Sequence, residues 1–169
     1  MKNLLYPFIF LAFSCAGSKN EHGDKNSKSS YQIENKCPKD VNCSFEILKN
    51  KSLQIIKDDI GMSYYELIED PKKVVFKYSY KLITDKDLQD AGYSEEILFE
   101  TEKDYTDFNY SGKSLQTSKA ILNVMCFCRG KAGTYKITEG EISKNGKDLL
   151  IKIPSIVSNQ KIEEIRITL

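Results

Sequence analysis

The chain is poor in the residues on which much catalytic chemistry depends. It has no tryptophan and a single histidine, His22, which lies in a polar stretch near the amino end. Beyond that stretch no histidine is left to act in a Ser-His-Asp or Cys-His arrangement or to hold a catalytic zinc. We therefore expect a protein that is not an enzyme, with neither a cofactor nor a metal.

Charge and motif content also limit the partners. Lysine and arginine number 25 against 24 acidic residues, a net charge of +1, so there is no basic excess for binding nucleic acid. The segment Gly130–Thr134 lacks the Walker spacing and precedes an expected strand, which favours a turn over a phosphate loop. The longest apolar run, Leu4–Phe13, would rise only about 15 Å as a helix, half the thickness of a bilayer core.

The first fifteen residues combine one lysine, that apolar run, and Ser14 before Cys15. This pattern resembles the signal of a bacterial lipoprotein, in the form with Phe13 and Ser14 that is found in Bacteroidota. The resemblance implies that residues 1–14 are a signal peptide and that Cys15 is lipidated. It also implies an outer membrane lipoprotein attached through its amino-terminal lipid, with the periplasmic or surface orientation left open. The alternative is an ordinary secretory signal in which Cys15 is incidental.

Residues 15–30 have no large apolar side chain. Such a segment cannot bury enough surface to offset the entropy of ordering it, so a disordered tether is expected. From Tyr31 onward the composition changes, and residues 31–169 are expected to form a single β domain.

Period-two alternation dominates this domain. Alternate residues of Val74–Leu82 are apolar, as in a strand with one buried face. Ile121–Cys128 is apolar on both faces and predicts a covered strand, and Ile165, Ile167 and Leu169 predict a terminal one. Asn145-Gly146 indicates a hairpin of type I′.

Further turns are expected at Asp59–Gly61 and at Asp70-Pro71, and one short helix from Thr84 to Gly92. Ser94–Phe108 fits helix or strand. The pattern predicts an all-β fold, an antiparallel β-sandwich or small barrel of about seven to nine strands.

Four cysteines remain in the domain: Cys37, Cys43, Cys126 and Cys128. An even number in an exported domain favours two disulfides. Residues two apart in a strand hold their Cβ atoms about 6.5–7 Å apart, whereas a disulfide needs about 3.8 Å. Crosswise links from Cys37 and Cys43 to Cys126 and Cys128 are therefore expected, in either order. The alternatives are a zinc site formed by all four thiolates and a redox dithiol formed by Cys126 and Cys128.

The function indicated is a lipid-anchored envelope protein with a non-catalytic binding or structural β domain and an envelope protein as partner. Its carboxyl half, with Cys126-Phe127-Cys128-Arg129-Gly130 and Gly133-Thr134-Tyr135, resembles small flavobacterial lipoproteins of uncharacterised function. The alternative is an inhibitor of an envelope hydrolase, a lysozyme or protease, with a contact loop containing Arg129, Lys131 and Thr134. A third is a carboxylate-dependent enzyme using the acids between Glu95 and Asp107, although a solvated acidic face is the simpler reading.

Overall fold

Alternating apolar residues form ten strands in the computed structural model, which describes residues 31–35, 37–84 and 92–169. The strands are β1 (Gln32–Ile33), β2 (Val41–Lys57), β3 (Ser63–Leu82), β4 (Tyr93–Glu102), β5 (Phe108–Ser111), β6 (Ile121–Cys126), β7 (Gly133–Lys136), β8 (Glu141–Asn145), β9 (Asp148–Lys152) and β10 (Glu164–Thr168). They make two five-stranded antiparallel sheets, the first in the order β1-β10-β9-β8-β5 and the second in the order β2-β3-β4-β6-β7. This confirms the β-sandwich.

Several of the predictions concern residues outside these described ranges. The signal peptide (1–14) and the tether (15–30) lie outside the described residues, as do residues 85–91 of the expected helix. The described residues contain no helix that is long and apolar enough to cross a membrane.

The inner faces of the two sheets form the main core. Phe76 and Phe99 from the second sheet stack with their ring centroids 4.9 Å apart. They face Ile142, Ile151 and other aliphatic side chains of the first sheet. Ile165 and Ile167 are buried in the same core, which confirms the predicted terminal strand. Burial of one face of each sheet is what the alternation requires.

The hairpin of β2 and β3 is much longer than the sheet to which it belongs. Only the open end of the hairpin, formed by the first half of β2 and the second half of β3, lies within the sheet. There Lys73–Lys81 of β3 pairs with β4. The closed end of the hairpin (residues 51–69), which we call the arm, folds over the outer face of the second sheet. This is the face turned away from the first sheet. There Leu53 packs with Val75, Leu98 and Ile121 in a second, smaller apolar cluster.

A bulge marks the point where the arm turns away. Lys49 pairs with Val74, but Lys51 pairs with Glu69, so Asn50 alone stands opposite four residues of β3. Asn50 adopts a positive φ of 57°. The expected turn at Asp70-Pro71 lies within these four residues, and there it bends the strand without reversing it, contrary to our expectation. Proline is tolerated at this point because its nitrogen has no ladder hydrogen bond to donate.

Two other local predictions have clear outcomes. Ser94–Phe108 is β4 followed by a turn, so the strand alternative is correct. The Asn145-Gly146 hairpin joins β8 to β9, but its central residues are Gly146 and Lys147, with only Gly146 at positive φ. That is the requirement of a type II′ turn. The short helix described is a 3₁₀ helix at Gly112–Ser118, which the sequence reading missed.

The expected crosswise disulfides are wrong. Cys37 pairs with Cys43, at a Cα–Cα distance of 5.9 Å, and Cys126 pairs with Cys128, at 5.2 Å. Cys43 lies on β2 and Cys126 on β6, three strands apart in the same sheet, or about 14 Å. The argument from extended geometry fails because β6 ends at Cys126, so Cys128 is already outside the strand. Such small rings contribute about 2 kcal/mol or less each, where crosswise links would contribute about 4–5 kcal/mol.

Candidate functional site

The second disulfide closes an exposed loop between β6 and β7, which we call the disulfide loop (residues 126–132). Cys126 packs against the main core, whereas Phe127 is 82% exposed. On the far side of the loop, the Lys131 amide donates to the Cys128 carbonyl and Tyr135 donates its hydroxyl to the Lys131 carbonyl. The loop therefore presents an aromatic ring to solvent from a backbone held at both ends.

The three residues expected to form a contact loop do not lie together. Arg129 is exposed and Lys131 half-buried, both in the disulfide loop. Thr134 lies on β7 instead, where its hydroxyl donates to Asn123 Oδ1 at 2.9 Å. Phe127 was missed as a contact residue because the strand was expected to continue through Cys128. The Arg129-Gly130 turn that follows was the signal that the strand ends earlier.

The tip of the arm presents a second exposed apolar side chain. Asp58 accepts hydrogen bonds from the amides of Ile60 and Met62 through its Oδ1, at 3.1 and 2.7 Å. Gly61, at a φ of 84°, completes the turn and donates its amide to the Asp58 carbonyl. These hydrogen bonds confirm the expected turn at Asp59–Gly61. Ile60 lies at the apex of the turn and is 85% exposed.

The tip of the arm lies beside the disulfide loop. Met62 Cε is 3.6 Å from the position that a Cβ on Gly133 would occupy. Gly133 pairs with Val124, the residue before Met125. Met62 and Met125 are 48% and 46% exposed. Met62, close to Ile60 in the turn, thus lies near the end of the outer face where β6 runs into the disulfide loop. We call Ile60, Met62, Met125 and Phe127 the contact surface.

A buried carboxylate holds the arm on the sheet. Glu100 Oε2 accepts hydrogen bonds from the Ser52 hydroxyl at 2.7 Å and from the Leu53 amide at 2.8 Å. Lys119, from the end of the 3₁₀ helix, pairs with Glu100 at 3.0 Å and also donates to the Leu53 carbonyl at 2.9 Å. Two segments distant in sequence, one on β2 and one at the end of the 3₁₀ helix, therefore converge on one acid of β4.

A second carboxylate ties the arm to the sheet nearer the contact surface. Glu96 pairs with Lys77 at 2.7 Å and accepts from the Tyr65 hydroxyl at 2.9 Å and from the Asn123 amide at 3.2 Å. Burial opposes ionisation of Glu96, but these hydrogen bonds outweigh it and hold the pKa of the carboxyl below its ordinary value. Burial, reinforced by the hydrogen bond to Glu96, raises the pKa of the Tyr65 phenol.

The neighbouring acid faces the other way. Glu95 is fully buried on the inner face, where it accepts from the amides of Lys161 and Ile162 at 2.6 and 2.8 Å and from the Tyr93 hydroxyl. These bonds fix the segment before β10. Burial, together with this hydrogen bond, raises the pKa of the Tyr93 phenol.

A solvated acidic face was the wrong reading for these three glutamates, because Glu95, Glu96 and Glu100 are all buried. Glu95 and Glu96 point to opposite faces of β4. Glu96 and Glu100 share a face, but their backbone positions are about 13 Å apart along the strand. Each carboxylate is occupied by donors that hold segments of the chain together, so the role visible for all three is structural.

A cleft of about 390 Å³ opens at the other side of the arm, between Ile55, the 3₁₀ helix and the segment after β7. Its walls include Leu115, Ala120 and Ile137, with Lys119 and Lys136 at its sides. Because Lys119 pairs with Glu100, the surface that the cleft presents to a ligand is mainly apolar. Among the described residues, no group of three or more histidine, cysteine or acidic side chains is placed to hold a metal ion.

Comparison of the chain with models of protein families, with curated proteins and with solved structures finds no match. Inference about function therefore depends on the surfaces and polar networks of the domain itself.

Proposed function

We propose that the protein is an outer membrane lipoprotein, anchored through Cys15, whose β-sandwich is a non-catalytic binding domain. Its contact surface is the site at which an envelope protein binds. The observation that carries this proposal is Phe127, a large aromatic side chain held 82% exposed on a loop closed by a disulfide. The sequence pattern of residues 1–15 supports the anchor.

The physical properties of the surface suit protein binding. Exposed aromatic rings on a preorganised backbone lose little entropy when a partner covers them, and such residues commonly dominate binding energy. Met62 and Met125 add side chains that adapt to an irregular partner surface. Burial of a side chain such as Phe127 contributes about 1.5–3 kcal/mol from the hydrophobic effect alone.

Charge at the tip of the arm favours a protein partner over a lipid surface. Asp58 and Asp59 directly precede Ile60, and both are exposed. Insertion of Ile60 into a bilayer would bring two carboxylates to the headgroups, which is unfavourable where lipids are anionic. A partner protein can meet the same carboxylates with cations at the rim of the interface.

The second candidate function, inhibition of an envelope hydrolase, is favoured by the shape of the disulfide loop. A short loop that projects from the end of a sandwich, with its backbone fixed at both ends, can enter the cleft of a lysozyme or protease. In this version Phe127 and Arg129 would enter the cleft, and Thr134 would not, because it lies in β7.

Photo-crosslinking from position 127 tests the binding surface. With p-benzoylphenylalanine in place of Phe127 in the full chain, produced in its native host, we expect one dominant adduct with an envelope protein, identified by mass spectrometry. The matched control places the same probe at Arg166, exposed on the first sheet, where that adduct should be absent. Identical adducts from both positions, or adducts with lipid alone, would contradict the proposal. An adduct mapped to a hydrolase active site would select the inhibitor.

Replacement of the anchor cysteine tests the lipidation. Cys15→Ser should abolish incorporation of an alkyne-labelled fatty acid and leave the protein either soluble or unprocessed, because the apolar stretch before it is too short to span a bilayer. Ser18→Ala, in the tether, is the control and should keep the label. Equal labelling of the Cys15→Ser variant would exclude the lipid anchor.

A further inference from the structure

Each disulfide joins a cysteine that packs against the main core to one that lies outside the strands. Cys43 lies within β2, pairs with Tyr80 and packs against the main core. Its disulfide partner Cys37 is exposed and precedes β2. In the second disulfide Cys126 packs against the core, whereas Cys128 is half-buried in the disulfide loop, beyond the end of β6. Opening the second pair would free a loop residue and leave the sheet register unchanged.

We propose that Cys126 and Cys128 form an exchangeable dithiol–disulfide pair that reacts with the thiols and disulfides of other molecules. This proposal does not rest on the binding function proposed above. The ring spans only three residues, so closing it restricts the unfolded chain little, and the fold depends little on the bond. Stable structural disulfides resist reduction, whereas exposed ones with little structural role are the ones that exchange.

The surroundings of Cys128 suit thiol chemistry. The exposed guanidinium of Arg129 is on the next residue, and Lys131 follows in the same turn. A neighbouring cation stabilises the thiolate over the thiol, and the thiolate is both the nucleophile and the better leaving group. A hollow lined by Cys126, Phe127, Cys128 and Arg129 gives an incoming thiol access to the bond.

The exchange transfers two electrons from a dithiol substrate to the Cys126–Cys128 disulfide. A substrate thiolate attacks Cys128 Sγ, forming a mixed disulfide, and the electron pair of the broken bond passes to Cys126, which is protonated from solvent. The second substrate thiol, once deprotonated, attacks its own sulfur in the mixed disulfide and releases Cys128 as a thiolate. The substrate loses two electrons and two protons and becomes a disulfide. A disulfide of another molecule, such as oxidised glutathione, restores the pair by the reverse steps.

Equilibration of the full chain with glutathione buffers of graded composition tests the proposal. After acid quenching, alkylation and peptide mapping, we expect Cys126 and Cys128 to be labelled together over a defined range of buffers. The circular dichroism of the sandwich should be unchanged over that range. Opening of the Cys126–Cys128 pair only together with unfolding of the sandwich would overturn the proposal.

Single-cysteine variants identify the sulfur that forms the mixed disulfide, since the sulfur that attacks oxidised glutathione is, in the reverse step, the one that a thiolate attacks. With Cys126→Ser, the remaining Cys128 should form a mixed disulfide with oxidised glutathione about tenfold faster than Cys126 does in the Cys128→Ser variant, because only Cys126 is packed against the core. A double Cys37→Ser, Cys43→Ser variant should keep the exchange of the other pair. Equal rates at both sulfurs would overturn the assignment of Cys128 as the attacked atom.

Discussion

Phe76→Ala is expected to lower the free energy of unfolding by about 3–5 kcal/mol, measured by urea or guanidinium denaturation. Phe76 is fully buried and lies at the centre of an aromatic cluster. Its ring centroid is 4.9 Å from that of Phe99, 5.4 Å from that of Tyr105 and 5.9 Å from that of Phe45. Truncation removes these contacts and leaves a cavity that two sheets of fixed hydrogen bonding cannot close.

The chain offers a matched control for this substitution. Phe127→Ala removes the same atoms from an exposed site and should change the stability by less than about 0.5 kcal/mol. A loss of several kcal/mol at Phe127 would show that its ring packs in the fold, and the contact surface would then lose its main residue. A loss below about 1 kcal/mol at Phe76 would contradict the arrangement of the core.

Glu100→Ala is expected to lower the stability by about 3 kcal/mol and to release the arm from the sheet. The substitution leaves the Leu53 amide and the Ser52 hydroxyl buried without their acceptor. Each lost hydrogen bond to a charged group costs about 1.5–3 kcal/mol. The loss of the Lys119 ion pair adds little, because that side chain is 42% exposed and can turn into water.

Hydrogen exchange separates release of the arm from general destabilisation. In Glu100→Ala the amides of residues 52–56 and 64–68 should lose protection first, while those of β9 and β10 keep theirs. Glu102→Ala is the control, since its side chain is 72% exposed and pairs with Lys73 at the surface. Uniform loss of protection across both sheets would show that Glu100 does not act on the arm in particular.

The all-β class and the apolar faces of the strands could be predicted because alternation is a local property. Burial of Val74, Phe76 and Tyr78 on one face follows from their spacing and from the need of a sheet to cover one side. The hairpin at Gly146 was predicted for the same reason, because the turn depends only on neighbouring residues. The lipid anchor stays a prediction from sequence, since residues 1–30 lie outside the described structure.

The arm could not be predicted, because it depends on a register shift within the β2–β3 hairpin and on contacts with Glu100 and Lys119, which are distant in sequence. The alternation of Ser63–Glu69 is compatible with an ordinary strand at the edge of a sheet. Whether it continues the sheet or folds across it depends on Asn50 standing opposite four residues of β3 and on the acceptor that Glu100 provides. The burial of Glu96 and Glu100 follows from the same event, since the outer face of β4 would otherwise be open to water.

Local features follow from the sequence alone: which residues of the strands face the core, the turns at Asp59–Gly61 and Gly146, and the absence of histidine beyond residue 22. Which groups meet depends on the tertiary fold. The cysteines show the difference, because their number predicts two bonds, but the pairing depends on the spacing of strands. Cys43 and Cys126 lie in the same sheet but are separated by β3 and β4. Each therefore bonds to the cysteine nearest along the chain, a result that strand order imposes and that residue spacing alone does not contain.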